Sequence, residues 1–108
     1  MMNAREEFLD HVKKCAEGRS VLCAIVSLSD HSEKPKYALK ANHTEEDYAG
    51  FLNSLNFRYD EGYGGQELEG TIWYKDGTWS DRGEYDGSEW WQHQRCPLIP
   101  SELLADLV

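Results

Sequence analysis

The sequence predicts an α+β domain in which an antiparallel sheet, including a C-terminal three-stranded meander, packs against two helices. Two segments in the first half repeat apolar residues at helical spacing. Two Asp-Gly pairs in the second half separate runs rich in β-branched and aromatic residues. With 108 residues the chain has room for one domain, residues 1–108, and an aromatic content of 12% argues against disorder.

The N-terminal third predicts a helix followed by a strand. The helix is expected over Ala4–Glu17, since Asn3 and Glu6 are spaced as a helix cap and its reciprocal acid, and Gly18 follows as a stop. The run Ser20–Leu28 is almost continuously apolar, so we expect a central strand buried on both faces. The apolar stripe of the helix consists of Phe8, Val12 and Cys15.

The middle of the chain predicts a second strand and a second helix. Lys36–Ala41 alternates as a strand does, after a polar loop over Ser29–Pro35. Thr44 precedes three acidic residues, which is typical of a helix start. Phe57–Tyr59 is predicted as a short strand, followed by a loop over Asp60–Gln66. The buried face of the second helix is expected to consist of Tyr48, Phe51, Leu52 and Leu55.

The next segment predicts the meander, with strands over Leu68–Lys75, Thr78–Tyr85 and Ser88–Gln92. Asp76-Gly77 and Asp86-Gly87 are predicted to be two-residue type I′ turns, because such turns need positive φ at both central residues. After two prolines, a short terminal helix is expected to begin at Ser101 and to contain Leu103, Leu104 and Leu107.

Two-residue turns determine which side chains share a face of the meander. Asp81 would be the one acid on the core side, either accepting hydrogen bonds from a buried Tyr or Trp or acting as a buried acid. The side predicted to face the core carries Ile72, Tyr74, Trp79, Asp81, Tyr85 and Trp90. The opposite side carries Trp73, Arg82, Glu84, Glu89 and Trp91.

The candidate site lies on the second of these faces. Glu84 is predicted to lie opposite Glu89, and Arg82 beside them could neutralise one carboxylate and stack on Trp91. Such a set fits a paired-acid site, a cation site or an aromatic docking surface. It also fits a solvated face with an ordinary salt bridge, which we favour for the acids. The predicted binding residues are Trp73, Arg82, Glu84, Asp86, Glu89 and Trp91.

The net charge of −9 is uneven, with +1 on residues 1–43 and −10 on residues 44–108. Such an asymmetry repels phosphate-bearing ligands and attracts basic protein surfaces, although it also serves solubility alone. We therefore expect a protein partner and no direct nucleic-acid binding. No apolar run approaches the roughly 20 residues of a membrane span, and the first residues lack a signal-peptide pattern, so we expect a cytoplasmic protein without membrane contact.

The sequence contains no phosphate-binding glycine loop and no nucleophile elbow. Cys15, Cys23 and Cys96 are an odd number without a C-x-x-C pair, which predicts free thiols in a reducing compartment. His93 and Cys96 have the spacing of metal ligands, but two ligands do not make a zinc site. We expect no catalytic residues, no cofactor and no metal.

Three short motifs stand out between Phe57 and Pro100: DEGYG at 60–64, DGTW at 76–79 and GEYDGSEWW at 83–91. In these motifs the segment resembles a pattern found in small, uncharacterised bacteriophage-encoded proteins. The resemblance implies an origin in a phage or prophage and action in the cytoplasm of the bacterial host. It implies no activity beyond the general habit of small accessory phage proteins of binding host proteins, defence nucleases included.

We expect a small, acidic, phage-type accessory protein that binds a host or phage protein through the acidic, tryptophan-bearing face of the meander. The most specific form of this hypothesis is inhibition of a nucleic-acid-binding defence protein by charge mimicry, in which acidic side chains along a strand occupy a site that normally binds phosphates. The alternative is a small-ligand or glycan-binding module that uses Trp73, Trp91 and the same acids.

Overall fold

Two helices and two sheets make up the described part of the chain, which in this computed structural model comprises residues 2–15, 20–28, 36–59, 68–85 and 88–96. The strands predicted over Lys36–Ala41 and Phe57–Tyr59 are present over Lys36–Leu39 and Arg58–Tyr59. The elements are β1 (Met2–Asn3), α1 (Ala4–Cys15), β2 (Val21–Leu28), β3 (Lys36–Leu39), α2 (Glu45–Ser54), β4 (Arg58–Tyr59), β5 (Leu68–Tyr74), β6 (Trp79–Tyr85) and β7 (Ser88–Gln94).

The larger sheet is antiparallel with the strand order β3-β2-β5-β6-β7, so its last three strands form the predicted meander. A smaller sheet pairs β1 with β4, a pairing that the sequence did not suggest. Both helices and one face of the larger sheet contribute to a single hydrophobic core, which confirms the α+β architecture. Its residues include Phe8 of α1, Phe51 of α2, Leu55 at the C-terminal cap of α2, and Val26, Ile72 and Tyr74 of the sheet.

Both helices begin at their predicted caps. Oδ1 of Asn3 accepts a hydrogen bond from the backbone N–H of Glu6 over 3.0 Å at the start of α1. At α2, Oγ1 of Thr44 accepts from the N–H of Asp47, and Oδ2 of Asp47 accepts from the N–H of Thr44, which is a complete capping box. The predicted helix faces are confirmed where their side chains are described, which excludes Cys15: Phe8, Phe51 and Leu55 are buried, and Val12, Tyr48 and Leu52 are half-buried.

β2 differs from the prediction of a strand buried on both faces. Ala24 and Val26 are buried in the core, whereas Ile25 between them is 37% exposed on the other face of the sheet. Core residues from both helices pack on one face only, so the strand has an inner and an outer side. A bulge between Val21 and Cys23 allows both Val21 and Ala24 to be buried.

The first hairpin of the meander has a register that differs from the prediction by one residue. Trp73 lies opposite Trp79, whereas a two-residue turn would place Trp73 opposite Ser80. The backbone N–H of Tyr74 donates to the carbonyl of Thr78 over 2.9 Å, and Gly77 has a φ of 88°. This is a three-residue turn with glycine in the left-handed region, a geometry that Asp-Gly permits as well as type I′.

The shift reverses the predicted faces of β6 and β7, because side chains alternate along a strand. The second hairpin has its predicted register, with Glu84 opposite Glu89, so β7 follows β6. Ile72 and Tyr74 of β5 are in the core as predicted. By this alternation Trp79, Asp81, Tyr85 and Trp90 lie on the outer face instead of the core side, and Arg82, Glu89 and Trp91 lie on the core side.

Five of the predictions lie outside the described residues. They are the end of the first helix at Glu17 with its stop at Gly18, the loops over 29–35 and 60–66, the turn at Asp86-Gly87, and the terminal helix after Ser101. Within the ranges that the structure describes, no helix is both long enough and apolar enough to span a membrane.

Candidate functional site

The predicted binding residues lie on both sides of the sheet and do not form one surface. Arg82, Glu89 and Trp91 are buried on the core side. Trp73 is 41% exposed on the outer face. Glu84 is exposed near the end of β6, and Asp86 is outside the described residues. The structure therefore separates the set into a buried ion cluster and an outer aromatic face.

Arg82 is the centre of the buried ion cluster, which consists of Glu7, Tyr59, Arg82 and Glu89. Its side chain is 1% exposed. Nη1 donates to Oε1 of Glu7 over 2.9 Å, and Nη2 donates to Oε1 of Glu89 and to the hydroxyl of Tyr59, each over 2.9 Å. Nε donates to the carbonyl of Leu68 over 3.2 Å. One guanidinium thus joins α1, β4, β5 and β7.

The electrostatics of this cluster favour a charged arginine and a protonated tyrosine. Burial lowers the pKa of Arg82, but the charge of Glu7 and the hydrogen bonds to Glu89 and Tyr59 bring the pKa above its ordinary value. Burial, with the hydrogen bond to Glu7, raises the pKa of Tyr59 well above its ordinary value. Tyr59 therefore remains protonated and donates to Oε1 of Glu7. Oε1 of Glu89 also accepts from the backbone N–H of Leu68.

Trp91 covers the guanidinium on the core side. The Cζ of Arg82 lies 5.1 Å from the centroid of the indole ring, so the predicted stacking of Arg82 on Trp91 is confirmed. It occurs inside the protein, however, because the register of the first hairpin turns both residues inward. Phe8 contacts the indole edge-on and His11 stacks on it. Among the described residues, no hydrogen-bond partner reaches the buried Nε1–H of Trp91.

A buried serine and a half-buried histidine lie next to this cluster. Nε2 of His11 is 2.7 Å from Oγ of Ser80, and the hydroxyl of Tyr74 is 2.8 Å from the same oxygen. A Ser–His pair at this distance is the arrangement of an activated nucleophile. Ser80 is 0% exposed, so a substrate cannot reach its Oγ in this conformation. The three residues are better explained as a hydrogen-bonded chain that ties α1 to the sheet.

His11 is expected to make the folded protein sensitive to acid. Burial lowers the pKa of His11 below its ordinary value of 6.5, and the nearby His93 and Arg82 act in the same direction, against Asp10. The neutral ring is therefore favoured by folding, and its contribution to stability is complete above pH 6.5. As the pH falls below 6.5 towards the lowered pKa, the unfolded chain binds the proton first, so the free energy of unfolding should decrease.

Urea unfolding at pH 7.5, 6.5 and 5.5 measures this effect. The matched variant is His11→Gln, whose amide nitrogen can still donate to Ser80 but does not titrate. We expect a shallower loss of stability in the variant than in the wild type. The same slope in both proteins would show that His11 is not the group responsible.

The outer aromatic face consists of Ile25, Trp73, Trp79 and Trp90. Trp73 and Trp79 are directly opposite each other on β5 and β6, and Trp90 on β7 is 40% exposed. Trp90 lies close against the backbone of Gly83, where a Cβ atom would be 2.7 Å from Cε2 and Nε1 of the indole. Glycine at position 83 therefore allows the ring to lie in contact with the backbone of β6.

Asp81 lies on this outer face and not in the core as predicted. Its Oδ1 accepts hydrogen bonds from Nε2 of Gln92 over 3.0 Å and of Gln94 over 3.4 Å. Asp81 lies opposite Thr71, and these two residues form the cross-strand pair next to Trp73–Trp79 on the same face of the sheet. The outer aromatic face thus carries a carboxylate held in place beside two tryptophans, which together suit a cationic group.

The sequence did not indicate three residues of the buried ion cluster and of the hydrogen-bonded chain beside it, namely Glu7, His11 and Tyr59. Glu7 and His11 were detectable in principle. At helical spacing they adjoin the stripe of Phe8 and Val12, so α1 turns both of them towards the sheet. Tyr59 gave no signal, because its partners are far away in the sequence.

The described residues are close to electrical neutrality. They hold eleven Asp and Glu against nine Lys and Arg, so most of the net charge of −9 belongs to residues outside the described ranges. Within the described ranges, no group of three or more His, Cys, Asp and Glu side chains could hold a metal ion. Two features therefore distinguish the described part of the protein, the outer aromatic face and the buried ion cluster.

Comparisons with known proteins do not assign a family. A scan against protein-family models found no match. Searches of curated proteins and of solved structures likewise found no similar protein.

Proposed function

We propose that this protein is a non-enzymatic binding protein that docks on a basic surface of a protein partner through its outer aromatic face. The observation that carries the proposal is the Trp73–Trp79 pair, which is partly exposed on the sheet face opposite the core. Tryptophan is strongly enriched among the residues that dominate protein–protein binding energy, since it buries a large area with little loss of side-chain freedom.

The chemistry beside the tryptophans supports a basic partner. An arginine of the partner would stack on an indole and pair with the carboxylate of Asp81, which is already oriented by two glutamine amides. The net charge of −9 on the whole chain would raise the rate of association with a basic surface. Salt should therefore weaken binding without abolishing it, because the aromatic contacts are not screened.

A narrower form of the proposal is inhibition of a nucleic-acid-binding defence protein of a bacterial host, as the phage resemblance suggests. Charge mimicry through Glu84, Asp86 and Glu89 is not the version that the geometry favours. Glu89 is buried and bonded to Arg82, and of these three only Glu84 is a described, exposed acid. In this form the tryptophans, and not a row of carboxylates, would supply most of the affinity.

The test is binding of a fluorescein-labelled arginine-rich peptide, with a glutamate-rich peptide of equal length as its control. Replacing both Trp73 and Trp79 with threonine keeps β propensity while removing the indoles. We expect this double variant to bind the arginine-rich peptide at least about tenfold more weakly than the wild type. Phenylalanine at both positions retains an aromatic face and should keep most of the affinity.

Equal binding by the wild type and the threonine variant would contradict the proposed surface. A panel of oligosaccharides, followed by tryptophan fluorescence, tests the alternative of a glycan-binding module on the same face. Aromatic rings beside carboxylate and amide groups also suit sugars. Quenching by a sugar that is lost in the threonine variant, with no binding of the arginine-rich peptide, would replace the protein partner by a glycan.

A further inference from the structure

A cleft of about 610 Å³ lies between β3 and α2, on elements that contribute nothing to the outer aromatic face. All four residues of β3 line it, and α2 contributes positions 46, 47, 50, 51 and 54, which share one side of the helix. Its apolar wall includes the buried Leu39 and Phe51 and the half-buried Tyr37. The cleft therefore follows the length of a strand along one side and a helix along the other.

Gly50 lies in the interior of α2 and lines this cleft. Glycine weakens a helix interior relative to alanine, so its presence there usually has a packing or functional reason. The described fold supplies no such reason: Gly50 has no positive φ, and a Cβ built on it would have no atom within 4 Å. The missing side chain leaves space in the cleft, which suits the close approach of a second molecule.

β3 is an edge of the larger sheet, since β2 is its neighbour on one side and no described strand pairs with the other. An edge strand directs some of its backbone N–H and C=O groups outward, where an extended peptide can pair with them. A helix beside such an edge makes a groove in which alternate side chains of the added strand are enclosed. The β3–α2 cleft has these features.

The charges at the edge indicate what kind of strand would fit. Tyr37 and Leu39 turn towards the core, so Lys36 and Ala38 face the other way and both lysines, Lys36 and Lys40, are exposed. A second copy pairing antiparallel about Ala38 would bring Lys36 opposite Lys40 in both directions, which is unfavourable. Glu46 and Asp47 also line the cleft, but on the α2 side, where the apolar side chains of an added strand would lie. A strand whose acidic residues lie beside Lys36 and Lys40, on the other side of the β3 edge, would instead be attracted.

We propose that the β3–α2 cleft binds an extended peptide segment of another protein, with alternating apolar and acidic residues, as an added strand on β3. The apolar side chains enter the cleft over Gly50 and contact Leu39 and Phe51. The acidic side chains lie beside Lys36 and Lys40. This surface is independent of the outer aromatic face, so either one can be present without the other.

Fluorescence polarisation with a labelled seven-residue peptide of alternating Glu and Val tests the proposal. A peptide of the same composition with its Glu and Val residues in two blocks is the control for order, and an alternating Lys–Val peptide is the control for charge. We expect the wild type to bind the alternating Glu–Val peptide at least about tenfold more tightly than either control. Methylation of alternate backbone nitrogens of the peptide should abolish binding, because strand addition depends on backbone hydrogen bonds.

Variants of the protein locate the site. Gly50→Phe fills the cleft and should weaken binding at least about tenfold, whereas Gly50→Ala, which adds a single methyl group, should weaken binding by less and have a midpoint of thermal unfolding no lower than that of the wild type. Replacing Lys36 and Lys40 with glutamate should transfer the preference to the Lys–Val peptide. Replacing Trp73 and Trp79 with threonine should leave binding unchanged. Equal affinity of the wild type and a folded Gly50→Phe variant, equal binding of the block peptide, or no binding of the alternating peptide would overturn the proposal.

Discussion

Replacing Arg82 with methionine is expected to lower the free energy of unfolding by about 3–5 kcal/mol, the range found when one partner of a buried ion pair is removed. Methionine retains much of the length of arginine but none of its charge or hydrogen bonds. Glu89, which is completely buried, would be left without its cation, and Glu7 would keep only the tyrosine as a donor among the bonds of this cluster. Urea unfolding of the wild type and the variant measures the loss.

Two further variants show whether the loss comes from unpaired charge. Adding Glu89→Gln to Arg82→Met removes the buried negative charge and leaves an oxygen that can accept from the N–H of Leu68, so the double variant should be more stable than Arg82→Met alone. Lys14→Met breaks the exposed pair with Asp10, whose atoms are 3.0 Å apart, and should change stability by about 0.5 kcal/mol or less. A loss in Arg82→Met no greater than in Lys14→Met would contradict the structural importance of the cluster.

The elements that the sequence predicts well are those with local signals. At each helix start, the two residues that form the cap lie within four positions of sequence, and the capping box at Thr44 and Asp47 forms as expected. The second hairpin also has the predicted register, as judged from the pairing of Tyr85 with Ser88. In these cases the interacting groups are near one another in the chain, so a pattern in the sequence specifies the contact.

The first hairpin shows where local signals fail. Asp76-Gly77 favours a two-residue turn but also permits a three-residue turn with glycine in the left-handed region, which is the one observed, and the difference is one residue of register. The three-residue turn agrees with the burial of side chains on β5 and β6. It places Ser80 opposite Ile72 on the core side, where Ser80 bonds to His11 and Tyr74. These partners come from α1 and β5, and no turn motif encodes them.

One residue of register also changes the functional interpretation. With the predicted register, Arg82 and Glu89 form an exposed polar surface beside Trp91, and acids dominate the expected binding. With the observed register, Arg82 and Glu89 are buried, and the ion pair of Arg82 with Glu7 connects α1 to the sheet. Trp79 then lies beside Trp73 on the outer face. Pairing between Arg82 and Glu89 was predictable because they share a hairpin. The contribution of Glu7, 75 residues from Arg82, was not.

The second large effect is expected at Gly70, on the core side of β5. A Cβ atom there would lie 2.6 Å from the carbonyl oxygen of Ile25 and 2.9 Å from Cη2 of Trp91. The nearest atom belongs to the backbone of β2 in the interior of the sheet, so a rotamer change cannot relieve the contact. Gly70→Ala should therefore lower the free energy of unfolding by about 1–3 kcal/mol, the usual effect of overpacking, as measured by urea unfolding.

Gly83→Ala is the matched control, because its added methyl group would approach a tryptophan at a similar distance. The nearest atoms, at 2.7 Å, are all in the side chain of Trp90, which is 40% exposed and can rotate towards solvent. We therefore expect Gly83→Ala to lower the free energy of unfolding by less than Gly70→Ala does, because Trp90 can move and the backbone of β2 cannot, while shifting tryptophan emission and weakening the proposed binding on the outer aromatic face. Gly70→Ala should do the reverse, lowering stability while leaving the outer tryptophans in place. Equal losses of stability in the two variants would contradict the distinction between a tryptophan that holds the fold and one that is available to a partner.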